Sequence, residues 1–192
     1  MQYEPVKNFL GPFFSKSLFL RKLFYFLIDT LLLRTWHVKQ ALKRSASLLP
    51  SSASVLDAGS GLGQYSWRML RMNRKWKIDG VDINSAQVDE CNDFFSKTGN
   101  GDRVKFSTAD LTQFTNSGAY DLILSVDVME HIADDVQVFK NFNQSMRKGG
   151  MLIISTPSDQ GGSDVHDEHS NSFIDEHVRN GYSTEEIINK LT

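Results

Sequence analysis

The sequence has few of the features that link a chain covalently or carry it into a membrane. Cys91 is the only cysteine among 192 residues, so no disulfide can form within the chain and a reducing compartment is expected. The apolar stretch at 23–33 is interrupted by Asp29 and is much shorter than the roughly 20 residues that a spanning helix needs. The first residues also lack the basic and apolar segments of a secretory signal. We therefore expect a cytoplasmic protein.

The chain has no strong excess of charge of either sign. A formal charge of −2 gives no reason to expect binding to nucleic acid, which requires a basic surface. The charges are unevenly placed, however, because residues 1–50 hold eight Lys or Arg against two acidic residues, and residues 158–192 hold eight Asp or Glu against two basic ones. The length and the 40% of hydrophobic residues fit one core, so we expect a helical extension at 1–50 and one domain at 51–192.

The N-terminal extension has the pattern of an amphipathic helix over 18–36. Apolar residues recur there at helical spacing: Leu20, Leu23, Phe24, Leu27, Ile28 and Leu31. Phe19, Phe26 and Leu33 widen the apolar face, so this helix packs deeply or meets a second apolar surface. The pattern predicts a lid over a binding pocket for an apolar ligand, and it leaves open peripheral contact with a membrane surface.

From Ser54 onward, short apolar runs alternate with longer helical patterns, which is typical of βαβ units. Strands are predicted at 55–57, 77–82, 104–106, 120–126 and 151–155, and helices at 64–72, 85–97 and 134–146. A last helix is predicted from Ser183, where Ser183 and Glu186 offer a capping box. The fold class is therefore α/β, a doubly wound Rossmann-like sheet of about five mostly parallel strands.

A glycine-rich turn joins the first predicted strand to the next helix. It contains Asp57, Gly59 and Gly61, and glycines there let the backbone approach a ligand while leaving N–H groups at the helix start. A nicotinamide-binding turn would have glycine in place of Gln64 and would not require an acidic residue at Asp57. A dehydrogenase is therefore disfavoured. An ordinary tight turn without a ligand is the simpler alternative.

This turn resembles the first motif of class I S-adenosylmethionine (SAM)-dependent methyltransferases, including the type 11 and ubiquinone-pathway O-methyltransferases. The resemblance extends over 55–192 and implies SAM as the cofactor. It implies that Gly59 and Gly61 line the methionine part of SAM and that Asp57 lies beside its amino group.

The following strand ends supply the rest of the predicted cofactor site. Asp82 lies 23 residues after Gly59 at the end of the second strand, where a carboxylate can accept hydrogen bonds from both ribose hydroxyls. Capping of the next helix is the alternative role for Asp82, but Asn84 or Ser85 fits it better. The resemblance adds the adenosine contacts Ile83, Asp110, Leu111 and Val126.

The segment after the fourth strand holds the candidate catalytic residues. Asp127, Glu130 and His131 resemble the metal site of some ubiquinone-pathway enzymes, with Asp in place of Glu, but these residues also fit a role in shaping the active-site floor, and we expect no metal. His166 lies in a polar loop where a histidine could take a proton or simply be solvated. The candidate catalytic residues are thus Glu130, His131 and His166.

The resemblance also implies seven strands, of which only five can be counted. We therefore expect a fragment in which residues 151–155 form an edge strand that a homodimer partner or the N-terminal helix covers. The predicted function is methyl transfer from SAM to a small, apolar or lipid-like acceptor that the sequence does not name. A SAM-binding protein without turnover and a membrane-surface module are the alternatives.

Overall fold

A computed structural model describes residues 17–31, 33–159, 178, 179 and 181–191. Within these ranges the helices and strands alternate as the sequence predicts. The order is α1 (Leu18–Leu31), α2 (Leu33–Ala46), β1 (Ser54–Ala58), α3 (Gln64–Met72), β2 (Lys77–Asp82), α4 (Ser85–Lys97), β3 (Val104–Thr108), β4 (Tyr120–Val126), α5 (Asp135–Ser145), β5 (Met146–Ser155) and α6 (Thr184–Leu191). A short 3₁₀ turn, Met129–His131, separates β4 from α5.

The five strands form one parallel sheet in the order β3-β2-β1-β4-β5. The interior strand β4 is buried along almost its whole length, as expected for a parallel strand that is covered on both faces. The predicted doubly wound α/β fold is therefore confirmed. The chain order reverses between β1 and β4, and in such sheets ligands bind beyond the carboxyl ends of the strands at this point.

Two apolar clusters cover the two faces of the sheet. One cluster joins α1, α2, α3 and α4 to the sheet through large side chains such as Tyr25, Leu42, Met69 and Phe95. The other packs α5 and α6 against the opposite face and includes Phe139 and Phe142. The helices hold the strands from both sides, which fixes the carboxyl edge of the sheet as a rigid platform.

The N-terminal extension differs from its prediction in extent. The structure has two helices, α1 and α2, in place of one helix over 18–36. Apolar periodicity identifies a helix face, but it does not show where one helix ends and the next begins. On α1, Arg21, Phe24 and Tyr25 are buried, whereas Phe19 and Phe26 on the other side of the helix are 73% and 64% exposed. None of the helices in the described ranges has the length and apolar character needed to cross a membrane.

The last strand and last helix lie where the sequence places them, with shifted boundaries. β5 begins at Met146, ahead of the predicted 151, and its register with β4 is irregular between Tyr120 and Leu122. β5 pairs only with β4 and is an edge of the sheet in the described part of the chain, with α2 in contact with it. Ser183 Oγ accepts the Glu186 N–H at 3.0 Å, so the predicted cap of α6 is present.

Candidate functional site

The glycine-rich turn between β1 and α3 adopts a backbone that favours glycine. Gly59, Gly61 and Gly63 have φ angles of +75°, +50° and +75°, a region that side chains with a Cβ rarely adopt. A Cβ on Gly59 would lie 2.2 Å from the Val128 side chain, so glycine allows the loop after β4 to lie against this turn. Among the described residues, a Cβ on Gly61 would meet only Gln87 Oε1, at 3.9 Å, so the described surface around Gly61 is open to a ligand.

Asp82 joins the end of β2 to this glycine turn. Its Oδ2 accepts the Gly61 N–H at 2.7 Å and its Oδ1 accepts the Asn84 N–H at 2.9 Å. Asn84 Oδ1 in turn accepts the Gln87 N–H at 3.2 Å, so Asn84 caps α4, as the sequence indicated. Beside Asp82, the Ile83 side chain is 52% exposed. A carboxylate and an exposed apolar side chain therefore stand together at the open side of the turn.

Asp57 lies beneath the same turn rather than at its surface. Its carboxyl group is 3% exposed and accepts a hydrogen bond from Ser66 Oγ at 2.6 Å. Burial raises the pKa of Asp57 to about 6, with a further contribution from the negative charge of Asp82, while the hydrogen bonds from Ser66 oppose the shift. This carboxyl is therefore sensitive to any positive charge that is brought to the turn.

The end of β3 completes this part of the carboxyl edge. The Ala109 N–H donates to Asp82 O at 3.0 Å, which brings the start of the next loop beside the end of β2. Asp110 Oδ1 accepts two hydrogen bonds from Thr112, from its N–H and from its Oγ1, both at 2.8 Å. Leu111 is buried in the core on the α5 side. The half-buried Val126 ends β4 on the same edge.

The loop after β4 carries a strained aspartate. Asp127 has a φ of +56°, and it is the one residue other than glycine with a positive φ in the described part of the chain. Its N–H donates to Ser155 O at 2.8 Å, and its Oδ2 forms an ion pair with Arg34 Nη1 of α2. Its Oδ1 is buried and has no hydrogen-bond partner among the described residues. The aspartate is thus held at the carboxyl edge with one oxygen left for another group.

Glu130 and His131 follow in the 3₁₀ turn. Glu130 is buried, and Thr156 Oγ1 donates to its Oε2 at 3.1 Å. Burial raises the pKa of Glu130, as does the nearby charge of Asp127. The described ranges contain no cluster of three His, Cys, Asp or Glu side chains that could hold a metal ion, so Asp127, Glu130 and His131 do not converge there as a cation site. His166 lies outside the described residues.

Three further residues at this edge were not identified from the sequence. Arg34 reaches Asp127 from α2. Tyr65, in the first turn of α3, has a pKa that burial raises to about 12, and it lies close enough to Asp127 and Arg34 to interact with their charges. Ser60 Oγ is buried in the glycine turn without a partner among the described residues. Only Ser60 had a sequence signal, since it lies inside the glycine motif.

Comparison with known proteins identifies several methyltransferases. The chain is 28% identical over 103 residues to malonyl-[acyl-carrier protein] O-methyltransferase 1 of Ilyobacter polytropus, over 54% of this chain and 37% of that protein. It is 26% identical over 106 residues to the ubiquinone biosynthesis O-methyltransferase of Rickettsia prowazekii, over 55% of this chain and 40% of that protein. The chain thus spans less than half the length of either relative.

Solved structures share the fold. Phosphoethanolamine N-methyltransferase 2 of Haemonchus contortus, in complex with phosphomonomethylethanolamine and S-adenosylhomocysteine, superposes with a TM-score of 0.67. The match has 19% sequence identity and covers 81% of this chain and 36% of that one, so it shows the fold alone. A family model described as a methyltransferase domain matches residues 49–188, which is most of the chain. The chain therefore belongs to this methyltransferase domain family, as the resemblance of its glycine turn implied.

Proposed function

We propose that this domain binds SAM across the carboxyl ends of β1, β2 and β4 and transfers the methyl group to a nucleophilic atom of a small, apolar acceptor. One observation carries the proposal: Asp82 Oδ2 lies 2.7 Å from the Gly61 N–H, at the open side of the glycine turn. This pair presents a carboxylate for ribose hydroxyls next to a backbone with no side chain in the way.

The residues at the edge fit the parts of SAM. The turn at Gly59 and Gly61 would hold the methionine part, with Asp57 below it to attract the amino group. Asp82 would bind the ribose, and the exposed Ile83 would pack on the adenine. The buried Ser60 Oγ lacks a partner among the described residues, so it could form a hydrogen bond with a polar group of the ligand.

When bound, the sulfonium of SAM supplies a methyl group that is already activated. The protein then has to align the acceptor and exclude water. The loop after β4 abuts the glycine turn through Val128, and Asp127 and Glu130 of this loop would border the space next to the methionine part. Glu130 has a pKa raised by burial, which makes its carboxylate a better base than an exposed one for the proton of a hydroxyl or amine acceptor.

An apolar acceptor is favoured by the elements beside this loop. Arg34 of α2 binds Asp127, so the N-terminal helices border the acceptor side. Helix α1 is rich in apolar side chains, although its exposed Phe19 and Phe26 lie on the side away from the glycine turn. Pockets for small molecules are lined mainly by apolar side chains, which favours a quinone precursor or an acyl chain over a strongly charged acceptor.

Calorimetry with SAM and S-adenosylhomocysteine, followed by transfer of a labelled methyl group, tests the proposal. The acceptor panel should contain a phenolic quinone precursor, a malonyl thioester on acyl carrier protein, a polar amine and tRNA. We expect micromolar cofactor binding and transfer to one of the apolar acceptors. No cofactor binding would refute the proposal. Binding without loss of the methyl group to any acceptor would favour the alternative of a SAM-binding protein without turnover.

A second candidate function is peripheral contact with an anionic membrane surface through the outer side of α1. Exposed Phe19, Phe26 and Leu31 favour it, because large apolar patches mark interaction surfaces. Residues 17–50 also carry six Lys or Arg, of which Arg21 is buried, against one acidic residue, Asp29. The chain should sediment with phosphatidylglycerol vesicles more than with phosphatidylcholine vesicles, and Phe26→Ser should weaken this. Equal behaviour with both lipids would argue against the electrostatic part of this candidate.

A further inference from the structure

Helix α1 contacts the back of the glycine turn through two polar side chains. Tyr25 Oη donates to Leu62 O at 2.5 Å, and Arg21 Nη2 donates to the same carbonyl at 2.9 Å. Leu62 lies between Gly61 and Gly63, inside the turn that would hold the cofactor. Two donors from one helix therefore converge on a single carbonyl of the cofactor turn.

The guanidinium group of Arg21 also reaches the preceding carbonyl of the turn, through a thiol. Arg21 Nη2 donates to Cys91 Sγ at 3.0 Å, and Cys91 Sγ donates to Gly61 O at 3.4 Å. Burial raises the pKa of Cys91 to about 12, so the thiol keeps the proton that it donates. Arg21 thus holds two consecutive carbonyls of the turn, one directly and one through Cys91.

Arg21 is buried in an unusual way for a charged residue. It is 4% exposed, its guanidinium lies 4.8 Å from the centre of the Phe94 ring, and within the described ranges no carboxylate forms an ion pair with it. Its other donors go to Tyr25 Oη and to Glu90 O. Burying a charge is costly unless hydrogen bonds compensate it, and an apolar side chain would pack on Phe94 without that cost. An apolar side chain, however, could not donate hydrogen bonds that hold the carbonyls of the turn.

The turn is therefore fixed from two opposite directions. On the cofactor side, Asp82 accepts the Gly61 N–H, and on the α1 side Cys91 and Arg21 hold the Gly61 and Leu62 carbonyls. Gly61 has a left-handed backbone with no side chain to restrict it, so such hydrogen bonds determine its conformation.

We propose that Arg21 and Tyr25 are positioning residues for the cofactor, which set the conformation of the Gly61–Leu62 segment and thereby the affinity for SAM. Both residues lie outside residues 49–188, which the family model matches. The proposal rests on the proposed function, since it assumes that this turn binds SAM.

The test uses the full chain and three variants, Tyr25→Phe, Arg21→Lys and Phe24→Leu. Phe24 is a buried apolar residue on the same helix and serves as the control for loss of helix packing. Calorimetry with S-adenosylhomocysteine and thermal unfolding without ligand are measured on each. Each polar substitution removes a donor to the Leu62 carbonyl and also disrupts the hydrogen bond between Arg21 and Tyr25, and it should raise the Kd at least about three- to tenfold. Phe24→Leu should lower the melting temperature and leave the Kd unchanged.

Hydrogen exchange of the peptide that contains Gly61–Gly63 provides a second readout. It should accelerate in Tyr25→Phe, while exchange in β4 stays as in the wild type. Wild-type Kd values in both polar variants would overturn the proposal. A rise in Kd for Phe24→Leu equal to theirs would also overturn it, because the effect would then be one of packing alone. If the wild type bound no S-adenosylhomocysteine, the proposed function itself would fail, and this inference with it.

Discussion

The buried carboxyl group of Asp57 leads to a specific pH dependence of stability. Burial raises its pKa in the folded protein to about 6, above the ordinary value of 3.8 that it has in an unfolded chain. A group with a raised folded pKa contributes stability that is complete below the unfolded pKa and is lost as the pH rises through the folded pKa. A difference of about two pKa units corresponds to about 3 kcal/mol, so the ionised Asp57 should cost the folded protein about that much above pH 6.

Asp57→Asn isolates this contribution. Asparagine keeps the size of the side chain and an oxygen that can accept the Ser66 hydroxyl, but it does not ionise. Urea unfolding should be followed at several pH values from 4 to 8. The stability of the variant relative to the wild type should rise by about 2–3 kcal/mol between pH 4 and pH 6 and stay constant at higher pH. The new amide also changes the free energy of unfolding by an amount that does not depend on pH. The informative quantity is therefore how the stability difference changes with pH.

Binding of the cofactor should lower the pKa of Asp57 again. The positive amino group of SAM near Asp57 would favour the ionised carboxyl, so binding near pH 5 should release protons, which calorimetry in buffers of different ionisation enthalpy detects. A difference between variant and wild type that stays constant from pH 4 to 8 would refute the reasoning. It would mean that Ser66 and the backbone dipoles of the turn keep Asp57 ionised despite its burial.

Three further predictions concern the edge of the sheet. Asp82→Ala should weaken S-adenosylhomocysteine binding by about 1.5–3 kcal/mol in calorimetry, and an unchanged affinity would remove the ribose assignment. Gly59→Ala should lower the free energy of unfolding by at least about 1–2 kcal/mol, because alanine disfavours a left-handed backbone. Adding Val128→Ala should relieve the clash but not the backbone strain, so full recovery in denaturant unfolding would contradict that explanation. Activity on a true acceptor should survive EDTA, and a loss that Mg²⁺ restores would identify the acidic and histidine side chains after β4 as metal ligands.

The sheet could be predicted from the sequence because the relevant signals are local. Each strand is a short segment that contains buried apolar residues, and each is separated from the next by a helical pattern or a polar turn. The exact ends of elements depend on tertiary contacts instead. The start of β5 at Met146 requires pairing with Tyr120 of β4, and the separation of α1 from α2 leaves no mark in the apolar periodicity.

The cofactor side of the site was predictable for the same reason. The glycines and Asp82 lie within two consecutive strand-to-turn segments, and the fold brings such segments together. The contacts of the N-terminal helices were not predictable. Arg21 with Leu62 and Arg34 with Asp127 join distant parts of the chain, and neither arginine belongs to a motif. An arginine in an amphipathic helix has the same sequence signature whether it faces solvent or a buried carbonyl.

These two contacts place one N-terminal helix at the cofactor side of the proposed active site and the other at its acceptor side. Through Arg21, α1 holds the turn on which the cofactor would lie, and through Arg34, α2 holds the aspartate that would border the acceptor. The family model begins at residue 49, after both helices. A methyltransferase domain needs the same cofactor geometry for every acceptor, so the sheet and its glycine turn cannot distinguish one acceptor from another. We therefore expect acceptor choice to depend on residues 18–46 and on the loop after β4 that they contact.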